Sequence, residues 1–290
     1  MTPPPDNGPN KRDRREEARE KARIAREATA RKRRRNRFFA QGGIGLGILA
    51  IAAVVVLVIM NSVQPAGPGP LNMASGGILL QGNSSTGSIT AAKTAALKAG
   101  ATPKKTDQTK LKKTVNITAY IDFQCPYCNE FETANASQIK TWLQKGAVTY
   151  EVHPIAILDQ SSGGNKYSTR SANAAACVAN YEPNDFLSLV TEFYKNQPAE
   201  GSGGLPDSKI ISMVKAAGAT NSKISDCITN QKFVPFVTAM TKRALTDTLP
   251  NSTISKLTGT PTVIVNGKQY NGSLTDASTF ASFVASQATS

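Results

Sequence analysis

Histidine is almost missing from this chain. His153 is the single histidine in 290 residues, which excludes a metal centre built on several imidazoles. Cysteine is scarce as well. Of the four, Cys125, Cys128, Cys177 and Cys227, only the first two are close-spaced, so the two close ligand pairs of a structural zinc site are not supplied. Charge is absent over a long stretch, with no Asp, Glu, Lys or Arg between Arg37 and Lys93. No internal repeat is present, which argues against a solenoid or an array.

What charge there is lies unevenly. Residues 1–37 hold fourteen Lys/Arg against six Asp/Glu, and the rest of the chain holds twenty against fourteen. The front segment reads as a solvated basic arm. Basic runs bind phosphate backbones, but the sequence after the arm points away from nucleic acid. Residues 42–60, GGIGLGILAIAAVVVLVIM, carry no strongly polar side chain, and with Phe38 to Gln41 the run reaches 23 residues. At ~1.5 Å per residue that crosses the ~30 Å hydrocarbon core of a bilayer. The Arg/Lys cluster directly before it predicts a cytoplasmic N-terminus and an exported C-terminal part. The apolar run exceeds a usual signal-peptide core and no A-x-A site follows, so 38–60 is expected to be an uncleaved, single-pass signal-anchor in the cell membrane. Attraction to acidic lipid accounts for the arm.

Residues 61–76 are rich in Pro, Gly, Ser and Asn and read as a flexible tether. A domain is expected over 77–290. GILLQGNSS (77–85) suggests an edge strand, and 90–114 is basic and at most partly helical. VNITAYIDF (115–123) is β-branched and aromatic, as a buried strand should be. It runs into Cys125, and a helix follows with Pro126 at its first position and Gly146 past its end. AVTYEVHPIAIL (147–158) is a second strand, so the order strand–helix–strand predicts a parallel pair. Helices are expected near 167–181, 184–196, 206–217, 221–230 and 233–248, forming an insertion over about 160–250. GTPTVIVNGKQYNGS (259–273) reads as a hairpin turning at Asn266-Gly267, and a last amphipathic helix closes the chain. The expected class is α/β.

Three uses of Cys125–Cys128 are conceivable: a redox pair, half a metal site, or a structural crosslink. A two-residue loop gives a structural disulfide little to constrain. The position favours redox chemistry. Cys125 falls where the strand meets the helix, so helical N–H groups and the helix dipole stabilise its thiolate. Cys128 falls one turn inside, suited to resolve a mixed disulfide. An exported location permits lasting disulfides, and Cys177 and Cys227 are then expected to bond to each other across the insertion. His153 reads as a structural residue near the site. Neither a metal nor an organic cofactor is called for.

DFQCPYC (122–128), HPIAILD (153–159) and GTPTVIVNG (259–267) together resemble the thioredoxin superfamily, specifically membrane-tethered, actinobacterial-type DsbA-like thiol-disulfide oxidoreductases. The resemblance covers about 115–290. It implies a thioredoxin fold with an inserted helical subdomain and catalytic residues Cys125, Pro126, Tyr127 and Cys128. It also implies a cis-proline at Pro261 preceded by Thr260, in a segment that pairs with extended substrate. Implied partners are unfolded exported proteins with free thiols and a quinone-linked membrane protein that reoxidises the pair. Two departures stand out. Many relatives carry a buried acid six residues before the first cysteine, where this chain has Ala119; Asp122 either replaces it or faces solvent. Pro126-Tyr127 and Thr260 also match isomerase-like relatives. The expected activity is disulfide introduction. Isomerase or reductase activity by the same pair, or a non-catalytic anchored binding protein, stay open.

Overall fold

The computed structural model describes residues 67–111 and 114–288. The basic arm, the apolar run 38–60 and the first part of the tether lie outside the described residues. Among the described residues no helix is long and apolar enough to cross a membrane.

Strand β3 (Val115–Ile121) is buried along its whole length, the mark of a central strand covered on both faces. Ile117, Ala119 and Ile121 enter the main core, while Tyr120 packs into a smaller one with Ile155, Ile157, Leu245 and Ile264. Helix α1 (Pro126–Gln144) follows. Its chain then turns through Gly146 at φ +65°, a conformation glycine adopts without a Cβ clash. Strand β4 (Val148–Pro154) returns parallel to β3, with Val115 opposite Val148 and Ile121 opposite Pro154.

The inserted helices are α2 (Tyr167–Tyr181), α3 (Phe186–Lys195), α4 (Asp207–Ala216), α5 (Ser222–Thr229) and α6 (Val234–Thr246). The alanines of α2, including Ala174, Ala175 and Ala176, are fully buried. Their small side chains let α5 and α6 pack closely against this helix. Cys177 on α2 and Cys227 on α5 form a disulfide, with Cα atoms 5.9 Å apart. The chain re-enters the sheet as β5 (Thr262–Val265), antiparallel to β3, and β6 (Lys268–Gln269). Asn266 and Gly267 both have positive φ at this turn. Helix α7 (Ala277–Ala288) closes the fold, its Phe280 edge-on to Phe131 at 5.1 Å.

Two N-terminal strands complete a six-stranded sheet: β1 (Ile78–Gly82) and β2 (Ile89–Ala91), in the order β2-β1-β4-β3-β5-β6. Here the structure departs from the sequence reading. β1 is an inner strand, and the edge position goes to β2, whose three residues are too few to show a period. The tether reading also stops short. From Gly69 onward the chain is fastened to the domain: Gly69 donates to the Leu97 carbonyl, Leu71 to the Asn180 side chain, and Met73 is buried. A Cβ on Gly69 would lie 2.9 Å from the Phe236 ring, so glycine permits this approach.

Candidate active site

Cys125 occupies the N-cap of α1 in an extended conformation, with Pro126 behind it. Its N–H donates to the Asp122 carbonyl at 3.0 Å, and its carbonyl accepts from Asn129. Both Cys125 and Cys128 are buried free thiols, whereas Tyr127 between them is 61% exposed. Thr260-Pro261 is a cis peptide immediately before β5. Because Thr262 pairs with Tyr120 in the sheet, this segment lies beside the cysteines, and the Cys125 thiol donates to the Thr260 carbonyl at 3.2 Å. Six residues singled out in the sequence, Cys125, Pro126, Tyr127, Cys128, Thr260 and Pro261, therefore meet in one place. Cys177 and Cys227 lie apart, within the insertion.

The two sulfurs differ in character. The Cys125 thiol is held below its ordinary pKa, chiefly because the Cys128 side chain hydrogen-bonds to it, with help from the Thr260 side chain and the Cys128 backbone against the effect of burial. Burial pushes the Cys128 thiol well up, and the neighbouring Cys125 adds to this. One sulfur is thus prepared to carry charge and the other to keep its proton.

Several residues position the pair; the sequence leaves Asp122 open between two readings, and Gln197 and Glu132 escape it. Asp122 is fully buried rather than solvent-facing. Its carboxylate accepts from the backbone N–H groups of Gln124, Ile157 and Leu158, at 2.9, 2.8 and 3.0 Å. It thereby ties the end of β3 to the segment following β4. The Gln197 side chain, after α3, donates to the carbonyls of Phe123 and Cys125, each at 3.0 Å, and accepts from Asn129 at 3.1 Å. Phe193 packs edge-on to Phe123 at 4.8 Å. The insertion thus clamps the loop that carries Cys125. Glu132 lies one turn after Cys128 on the buried face of α1 and accepts from the Tyr150 hydroxyl at 2.6 Å. Its spacing of four from Cys128 was the available signal. His153 stands elsewhere: it stacks on Tyr120 at 4.4 Å, with its Nε2 3.3 Å from Glu151.

Ala119 is buried in β3, and the carboxyls near the cysteines come instead from Asp122 and Glu132. Burial pushes their pKa values to about 6 and about 7, from 3.8 and 4.5, against the hydrogen bonds they accept. The folded protein therefore keeps two protons that the unfolded chain loses as pH rises from about 4 to 7, and stability falls across that window. Glu132→Gln keeps an acceptor for Tyr150 but removes one titration. Urea unfolding at stepped pH is expected to show a shallower decline in this variant between pH 4.5 and 7, with the Asp122 part remaining. An unchanged slope contradicts the assignment.

Comparison with known proteins agrees with this geometry. A family model described as Thioredoxin (Thioredoxin_4) matches residues 110–284. The reduced disulfide bond oxidoreductase DsbG of Mycobacterium tuberculosis is 28% identical with a TM-score of 0.51, over 59% of this chain and 77% of that one. Oxidised DsbA of the same organism is 26% identical with a TM-score of 0.53, over 74% and 93%. Oxidised BdbD of Bacillus subtilis, 15% identical at a TM-score of 0.51 over 78% of this chain and all of its own, shares the fold. No curated protein sequence matches. The family match over most of the folded domain, the cysteine pair at a helix start and the adjacent cis-proline lead to one conclusion: the chain belongs to the DsbA-like thiol-disulfide oxidoreductases of the thioredoxin superfamily.

Proposed function

We propose that the protein is an extracytoplasmic disulfide oxidase, anchored through residues 38–60, that introduces disulfides into exported proteins through Cys125 and Cys128. The observation that carries this reading is the placement of the pair, with Cys125 at the helix N-cap beside the cis Thr260-Pro261 segment and Cys128 fully buried one turn inside. In the oxidised enzyme a client thiolate attacks Cys125 Sγ and the Cys125–Cys128 bond breaks. Cys128 leaves with the electron pair and, being buried, takes up a proton. A second client thiolate then attacks the client sulfur of the mixed disulfide. Cys125 departs as a thiolate, the better leaving group for its lowered pKa. The client loses two electrons and two protons, and the cysteine pair gains two electrons. A quinone-linked membrane protein accepts them and restores the disulfide.

Stabilising the Cys125 thiolate favours the reduced form of the enzyme and makes its disulfide oxidising. Clients are extended segments of unfolded chains. They are received beside Thr260 and Pro261, where the exposed Tyr127 supplies an apolar contact. The test is the equilibrium reduction potential of the pair. An oxidising value supports the reading, and a strongly reducing one assigns the same residues to a reductase.

A further inference from the structure

The folded domain draws its net positive charge from one segment. Residues 114–288 hold thirteen Lys/Arg and thirteen Asp/Glu, so they are neutral overall. Residues 67–113 hold seven lysines and one carboxylate, Asp107. All the net positive charge beyond residue 37 therefore falls between Lys93 and Lys113. The fold gathers five of these seven lysines. Lys93, Lys98, Lys104, Lys105 and Lys110 line an open groove of about 840 Å³ along β1 and the start of the following segment. Asp107 is occupied by Lys110 at 3.7 Å and by the Thr109 hydroxyl at 2.6 Å. The opposite rim is the strap Asn72–Ser75, fastened to the lysine segment where Thr94 donates to the Asn72 side chain.

Two further features give this groove a direction. Leu71 on the same strap is 44% exposed; with Tyr127 at the active site, it is one of two exposed large hydrophobic residues among those described. The strap is also where the chain arrives from the apolar run. Eleven residues lie between Met60 and Asn72, a reach of at most ~40 Å. An open groove of exposed lysines with an apolar residue beside it suits a diffuse anionic surface better than a single bidentate ligand, for which arginine is the usual residue.

We propose that the lysine-lined groove docks on the anionic headgroup surface of the membrane from which the chain emerges, with Leu71 entering the headgroup layer. The proposal rests on reading 38–60 as a membrane span. In the sheet order the cysteines follow β3, two strands from β1, and Thr260-Pro261 lies on the far side of β3, before β5. Docking through the lysine groove beside β1 therefore leaves the cysteines and the cis-proline segment free to meet clients. Attraction of this kind grows with each lysine and is screened by salt.

The test uses the full chain reconstituted in phosphatidylcholine vesicles with and without phosphatidylglycerol, probed with an amine-reactive label and read by mass spectrometry. Lys93, Lys98, Lys104, Lys105 and Lys110 are expected to react roughly fivefold or more slowly on the anionic vesicles. Lys209 and Lys215, on α4, serve as controls and keep their reactivity. High salt abolishes the difference. The triple variant Lys98→Gln/Lys104→Gln/Lys105→Gln loses protection at Lys93 and Lys110 while still oxidising a small soluble dithiol. Equal labelling on both vesicles overturns the proposal. So does protection by soluble polyphosphate without protection by anionic vesicles, which assigns the groove to a soluble polyanion. Alkaline carbonate extraction, run in parallel, reads the anchor separately: release of the chain contradicts the span whatever the lysine pattern.

Discussion

Cys125→Ser is expected to reduce dithiol oxidation to background, while Cys128→Ser yields a protein that accumulates as a mixed disulfide when offered a protein disulfide. The asymmetry follows from the geometry. Cys125 stands at the helix N-cap with its pKa lowered, beside the Thr260 carbonyl and the exposed Tyr127. Cys128 is fully buried and its thiol is pushed well up. A client therefore reaches Cys125, and without Cys128 nothing on the enzyme's side releases it. Non-reducing gels and peptide mass spectrometry identify the sulfur in the trapped species. Trapping through the remaining cysteine of Cys125→Ser, or undiminished activity in that variant, reverses the roles or favours a non-catalytic binding protein.

The second large effect is on stability. Cys177 and Cys227 are 50 residues apart, and closing a loop of that length restricts the unfolded chain by about 4 kcal/mol in the chain-entropy treatment. The Cys177→Ser/Cys227→Ser double variant is expected to lose roughly that much in urea unfolding, with its transition midpoint lowered and its slope somewhat steeper as the unfolded chain expands. Activity per folded molecule is retained, because neither sulfur belongs to the Cys125–Cys128 site. A loss below about 1 kcal/mol contradicts this account and implies that the unfolded chain keeps the two helices together without the bond.

The parts of the fold visible in the sequence are those written in local patterns. The all-buried strand running into Cys125, the proline at the first helical position, the Asn266-Gly267 turn and the helices of the insertion each leave a periodic or turn-forming signature. Their observed bounds fall within a few residues of those expected. The parts that were not visible depend on partners distant in the chain. Gln197 meets Cys125 across 72 residues and sits in a loop with no pattern of its own. Glu132 and Asn135 are polar residues on the buried face of α1, and a helix face read from apolar positions passes over them. Asp122 stood equally well in solvent or in the core until Ile157 and Leu158 were seen to bring two N–H groups to it. The strap at 69–76 has the composition of a tether, and it is contacts such as its hydrogen bonds to Leu97 and Asn180 that show it is fastened.

The central claim is that a stabilised Cys125 thiolate makes this disulfide an oxidant of exported proteins. The most direct test is the equilibrium reduction potential of the Cys125–Cys128 pair in the full-length protein, held in mild detergent and poised against glutathione. The account predicts a value at the oxidising end of the superfamily, ~−120 to −180 mV. A value near ~−270 mV contradicts it and assigns the same two cysteines to a reductase that draws its electrons through the membrane.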